Sequence, residues 1–272
     1  MFRWGHAALL LLAACACPAQ SPATRIVVDS LPQALIQQRL QAVPRKLSDR
    51  VTTLESLFKD AGCAVAEQPV PHSKAPNLIC TLAGQTESEI VVGGHLDSIE
   101  IGMGAIDDWS GASLLPSLYQ SLKNTPRRHR FVFVGFAAEE VGLVGSSAFV
   151  HKLPVAEHHQ IHAMINLECL GLGPPEVWLS RADPKLAEAY RAVAATLHVP
   201  VLAMNVDRVG DDDSHSFLRA GIPVLTIHSL NNDTIHLIHQ PTDQVAAMHP
   251  GDYYTAYRLA AAYLAYLDST IE

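Results

Sequence analysis

The feature that most constrains this chain is the alternation of short β-rich apolar runs with helical stretches along most of its length. Runs at 63–70, 78–82, 90–93, 130–136, 161–167, 177–180 and 224–228 read as strands. Apolar spacing at 32–43, 46–61, 110–122, 183–197 and 253–267 reads as helices, with Pro44 separating the first two and a short helix expected at 216–220. Asp183 followed by Pro184 supplies an N-cap and a first-turn proline for the helix at 183–197. Strands joined through helices pair in parallel, and the crossovers lay helices over the sheet. The predicted fold is therefore α/β: a single domain with a mostly parallel or mixed central sheet and helices on both faces. The chain has 272 residues, 49% of them hydrophobic and 17% charged, which is enough to bury one such core. No internal repeat, low-complexity tract or linker divides it.

Charge and the leader narrow the setting. A formal net charge of -8 argues against a nucleic-acid partner, which needs a basic stripe. Arg3 and the apolar residues 7–14 form a segment too short to span a bilayer, so residues 1–19 read as a secretory signal and 20–272 as the mature domain. Two exits fit this leader. Cys17-Pro18-Ala19 offers small residues for ordinary cleavage, and Leu12-Ala13-Ala14-Cys15 resembles the bacterial lipobox, which would lipidate Cys15. The expected location is outside the cytoplasm, either secreted or periplasmic, or lipid-anchored to the envelope. No later run is long and apolar enough for a transmembrane helix. Of five cysteines, Cys15 and Cys17 belong to the leader, leaving Cys63, Cys80 and Cys169. A Cys63–Cys80 bridge and free core thiols both fit the sequence.

In parallel sheets the active site lies beyond the carboxyl ends of the strands. There the sequence places Gly93-Gly94-His95-Leu96-Asp97-Ser98, Ala137-Ala138-Glu139-Glu140 and Asn166-Leu167-Glu168. Separate loops carry Asp107-Asp108-Trp109-Ser110-Gly111 and His239-Gln240-Pro241-Thr242-Asp243. Imidazole and carboxylate are the ligands zinc takes from a protein. A lone histidine or acid at a strand end is more often a cap or a surface group. Five such pieces, each at the same end of its strand or in a neighbouring loop, are harder to explain that way.

Over residues 88–243 these motifs resemble the zinc-dependent M28 aminopeptidases. The family's Gly-Gly-His-x-Asp-Ser matches 93–98, Asp-Asp-x-Ser-Gly matches 107–111, Glu-Glu-x-Gly-x-x-Gly-Ser matches 139–146, and His-x-Pro-x-Asp matches 239–243. The resemblance implies a zinc-peptidase (phosphorylase/hydrolase-like) fold, two zincs per chain and peptide substrates cut at the N-terminus. It further implies that His95, Asp107 and Glu168 hold one zinc, that Asp107, Glu140 and His239 hold the other, and that Glu139 is the general base. Glu168 stands where the family usually has Asp, and Asp213-Ser214-His215 stands where many relatives read Ser-Asp-His.

Elementary geometry agrees with these roles. One carboxylate spans two metals roughly 3.5–4 Å apart. Asp97 lies two residues from His95 on an extended segment, so both side chains point the same way and Asp97 is placed to orient the imidazole. Asp243 is assigned to His239 or its loop. Adjacent Glu139 and Glu140 diverge, so one can ligate while the other faces the attacking water. His158, His159 and His162 read as a solvated loop, Gly102-Met103-Gly104 as no nucleotide loop, and Asp211-Asp212-Asp213 as a capped helix start. The alternatives are a one-zinc glutaminyl cyclase or a carboxypeptidase on the same fold and, from another class, a noncatalytic binding domain. Oligomeric state and side-chain preference are not encoded in any motif.

Overall fold

Side chains alternate across a strand, and the central strands of this protein fill both sides. The structure, a computed structural model, describes residues 27–99, 101–207 and 210–271; the expected leader, with Cys15, lies outside them. The described chain runs α1 (Gln33–Gln41), α2 (Leu47–Asp60), β1 (Ala66–Gln68), β2 (Asn77–Leu82), β3 (Glu89–His95), α3 (Ser110–Ala112), α4 (Leu115–Leu122), β4 (Arg130–Phe136), α5 (Val144–Lys152), β5 (Ile161–Leu167), β6 (Glu176–Val177), α6 (Pro184–Thr196), β7 (Leu202–Ala203), α7 (Ser214–Arg219), β8 (Val224–His228) and α8 (Pro250–Thr270). Ile90 and Val92 of β3, with Phe131 and Phe133 of β4, point into a large core closed by α2, α4, α6 and α8. Val91, Val132, Val134 and Phe136 point the other way, into a smaller core under α5 and α7. There Phe136, Phe149 and Phe217 form a triangle with ring centres 5.8–6.0 Å apart.

The eight strands form one mixed sheet in the order β1-β2-β4-β3-β5-β8-β6-β7. Its middle four, β4, β3, β5 and β8, are parallel neighbours. Antiparallel β1 and β2 finish one edge, and β6 pairs antiparallel with β8 at the other. From β3 the chain steps to β4 on one side and then to β5 on the opposite side. This reversal opens a crevice at the carboxyl ends of these strands.

Four local departures from the sequence pattern have physical causes. The helix expected at 110–122 is broken into α3 and α4, because Pro116 in the first turn of α4 has no N–H for the preceding turn. Ahead of it, Ala105–Trp109 forms a wide turn in which Asp107 and Asp108 leave helical angles and share a cis peptide bond. Helix α5 was not expected, since its Val144-Gly145-Ser146-Ser147 start has weak helix formers; the burial of Phe149 and Val150 carries it. The strands expected at 63–70 and 177–180 pair only over Ala66–Gln68 and Glu176–Val177. Ser180 is tied instead to the side chains of Asn205 and Asp207, and Cys63 bonds Cys80 in a disulfide spanning 17 residues of sequence. Cys169 is free and buried.

Candidate metal centre

Each central strand delivers its chemistry at the same end. His95 is the last residue of β3, Glu139 and Glu140 follow β4, Glu168 follows β5, and His239 sits in the loop after β8. The wide turn brings Asp107 between them. Its Oδ1 is 3.0 Å from His95 Nε2, and its Oδ2 is 3.0 Å from His239 Nε2. Glu168 Oε1 lies 3.5 Å from His95 Nε2, and Glu140 Oε2 lies 3.2 Å from His239 Nε2. Two donor sets result, His95–Asp107–Glu168 and Asp107–Glu140–His239, with the ligand atoms of each within 4.8 Å of one another. Glu139 Oε2 stands 3.9 Å from His95 Nε2 and belongs to neither set. The residues singled out in the sequence therefore converge on one point.

Asp97 and Asp243 converge there too, bonding to backbone. Asp97 Oδ1 is 3.7 Å from His95 Nδ1, beyond hydrogen-bond reach. The two Asp97 oxygens accept the N–H groups of Glu139 and Glu140 at 3.1 and 3.2 Å, which fixes that pair relative to β3. Asp243 accepts the N–H groups of Ile106 and Asp107 at 2.7 and 3.4 Å, so it positions the central carboxylate by its main chain.

Two residues under the site carried no separate signal in the sequence. Asp108 is fully buried and accepts from His95 N, Gly111 N, Ser110 Oγ and Cys169 N at 2.9–3.2 Å. It joins the ends of β3 and β5 to the start of α3. Gly111 makes this approach feasible, for a Cβ there would meet Leu167 O at 2.3 Å and Asp108 Oδ2 at 2.5 Å. Arg50 of α2 is equally buried; its Nη2 donates to Gly104 O at 2.5 Å and its guanidinium lies 5.5 Å from the Trp109 ring centre. The helical spacing that made α2 legible marks Arg50 only as a residue on its inner face. Trp109 packs, donating Nε1–H to Arg39 O at 3.1 Å.

The electrostatics show what this set lacks. Burial pushes Glu139 up to about 10, with Asp213, Glu168 and Asp107 adding to the rise and His95 opposing it. Glu140 is pushed up to about 7, by burial and then by Asp107. Asp107 goes the other way: burial would raise it, but hydrogen bonds with His239 and His95 hold it well below the carboxylate range. His239 in turn is held up at about 9, first by its bond with Asp107. Glu140 Oε1 and His95 Nδ1 are buried without hydrogen-bond partners. Buried carboxylates crowded against one another, with unused nitrogen and oxygen atoms facing inward, fit divalent cations that accept mixed N/O ligands.

The sequence matches peptidase family M28 over residues 77–264. The chain belongs to that family. Among curated proteins, it is 32% identical over 145 residues to leupeptin-inactivating enzyme 1 of Streptomyces exfoliatus, covering 52% of this chain and 32% of that protein. The chain thus spans about a third of that relative's length. Among solved structures it is similar to BSAP, a zinc aminopeptidase from Bacillus subtilis, with a TM-score of 0.64 and 25% identity over 70% of this chain and 49% of that one. It shares its fold with a Porphyromonas gingivalis glutaminyl cyclase, with a TM-score of 0.70 and 18% identity over 88% of this chain and 97% of that one.

Of the other histidines and acids that the sequence singled out, Asp213 lies close enough to the centre to act on Glu139. His158 and His159 are on a 3-10 turn, Val155–Gln160, and among the described residues they join no metal-binding group. Asp212 accepts Ser214 N at the start of α7, while Asp213 is fully buried with neither oxygen hydrogen-bonded. His215 is engaged by Asp211 and by Arg219 Nε.

Proposed function

We propose that this chain is an exported zinc aminopeptidase, its mature domain 20–272 holding two zincs. The observation that carries the reading is Asp107, with one oxygen turned to each of two donor sets. His95, Asp107 and Glu168 would hold one zinc, and Asp107, Glu140 and His239 would hold the other. Bound there, zinc would supply Lewis acidity for the scissile carbonyl and a water of lowered pKa. Glu139, outside both sets and held through its N–H by Asp97, takes the proton of the attacking water and returns it to the leaving amine. Family membership supports peptide substrates, and the similarity to the Bacillus subtilis zinc aminopeptidase supports the metal and the terminus. The leader and the Cys63–Cys80 disulfide, a bond kept in oxidising compartments, support export, with either a lipidated Cys15 or a free N-terminus near Gln20. Among the described residues no helix is long and apolar enough to cross a membrane.

The test couples metal counting to a substrate panel. About two zincs per chain, with chelator-sensitive cleavage of aminoacyl but not N-blocked chromogenic peptides, is the expected result. Cleavage of N-blocked peptides from the carboxyl end would make it a carboxypeptidase. A single zinc, even after zinc loading, with cyclisation of N-terminal glutamine would make it a cyclase. Export is read separately by mass spectrometry of the N-terminus, and intact Met1 in the cytosol would overturn it.

A further inference from the structure

A cavity of about 330 Å³ opens beside the metal centre, lined by Arg45, Ile101, Gly102, Met103, Pro241 and Gln244. Its walls are close in sequence to two residues of the site. Met103 precedes Asp107 by four residues, and Pro241 follows His239 by two. The walls are locked together: Met103 N donates to Asp243 O at 2.8 Å, and Gly102, at φ +74°, passes so close to the other wall that a Cβ would lie 2.5 Å from Gln240 O. Gln244 spends a side-chain donor on Pro241 O at 2.7 Å. That leaves Arg45 as the cation of the cavity. It is exposed, and among the described residues it has neither an ion-pair nor a hydrogen-bond partner.

We propose that the Arg45 cavity is a subsite for the C-terminal carboxylate of short peptides, so that the enzyme favours di- and tripeptides. At about 330 Å³ the cavity is at the small end of the range for ligand pockets and suits the end of a peptide. Ile101, Met103 and Pro241 offer it an apolar wall, and a guanidinium presents the paired donors that match a carboxylate. An extended peptide advances roughly 3.3–3.6 Å per residue, so only a peptide of the right length places its terminus in the cavity while its first peptide bond lies at the metal centre. This inference rests on the aminopeptidase reading.

The test uses zinc-loaded mature protein and the peptides Leu-Gly, Leu-Gly-Gly and Leu-Gly-Gly-Gly, each as free acid and as C-terminal amide. At one of the shorter lengths the acid should show a KM lower than the amide by roughly three- to tenfold, the range for a charged hydrogen bond that water partly screens. The advantage should fade in the longest peptide. In Arg45→Gln the acid-to-amide KM ratio should collapse towards one. The same pairs measured by calorimetry on Glu139→Gln protein report the subsite without turnover, so a failed peptidase reading and a failed subsite are told apart. Equal binding of acid and amide at every length would overturn the subsite, as would an Arg45→Gln effect of equal size on both. A Leu-Gly-Asp amide that binds better than Leu-Gly-Gly acid would overturn the terminal carboxylate as its ligand.

Discussion

At the scale of the residue, adjacent glutamates have different surroundings, and the proposed function gives them different work. Glu140 lies 3.2 Å from His239 and belongs to a donor set, whereas Glu139 belongs to none and faces the centre from one side. Glu139→Gln should cut turnover by roughly 10²–10⁴-fold, the loss expected for a general base, while both zincs stay bound. Glu140→Gln should weaken one zinc, with activity partly restored by excess metal. Loss of metal from Glu139→Gln alone would reverse the assignment. Asp108 makes a second case. Asn keeps its shape but puts a donor against N–H groups that now find an acceptor. We expect Asp108→Asn to lose about 3 kcal/mol of stability, from broken buried bonds at the junction of β3, β5 and α3. Chemical denaturation of the chelated protein measures this, and an unchanged midpoint would remove Asp108 from that role.

At the scale of the element, the Cys63–Cys80 bond ties the turn after α2 to β2 on the antiparallel side of the sheet. Closing a loop of 17 residues is worth about 3 kcal/mol in the chain-entropy account. Replacing both cysteines by alanine should therefore lower the unfolding free energy by about that amount while leaving zinc content unchanged. Loss of zinc in that variant would mean that the bond supports the centre as well as the edge. Secondary structure was legible wherever an element buries a regular stripe, as in α2, β3, β4, β5 and α8. It was not legible in α5, whose polar start is held by two side chains, nor in the turn at Ala105–Trp109, which is shaped by Ser110 bonding Ile106 O and Leu170 N.

At the scale of the whole molecule, one buried histidine links stability to pH away from the metal centre. His228 donates Nε2–H to Met204 O and accepts Leu230 N–H on Nδ1, so it is held neutral. Burial pushes its pKa down to about 4 from the ordinary 6.5. The unfolded chain takes up this proton first as pH falls. His228 therefore contributes its full stability above pH 6.5 and loses it progressively as pH drops towards 4, by about 3 kcal/mol in all. Denaturation midpoints of the parent and a His228→Gln variant between pH 7 and 4 should converge. Parallel curves would show that the histidine does not carry the effect.

The sequence by itself determined the α/β class and the kind of ligand at each strand end, because both follow from local pattern: alternation, helical spacing and the residues next to each strand terminus. That pattern marked His95, Glu139, Glu140 and Glu168 at strand ends and Asp107 and His239 in loops as candidates, and the resemblance to the M28 motifs gave each its expected role. Only the tertiary structure decided how they are held. Asp97 bonds a loop 42 residues away, Asp243 a turn 137 residues away, and Asp108 the end of β5 at 61 residues. Arg50 reaches Gly104 across 54. Each of these is a buried polar group paired with a distant segment, and such pairs form only when the fold has brought those segments side by side.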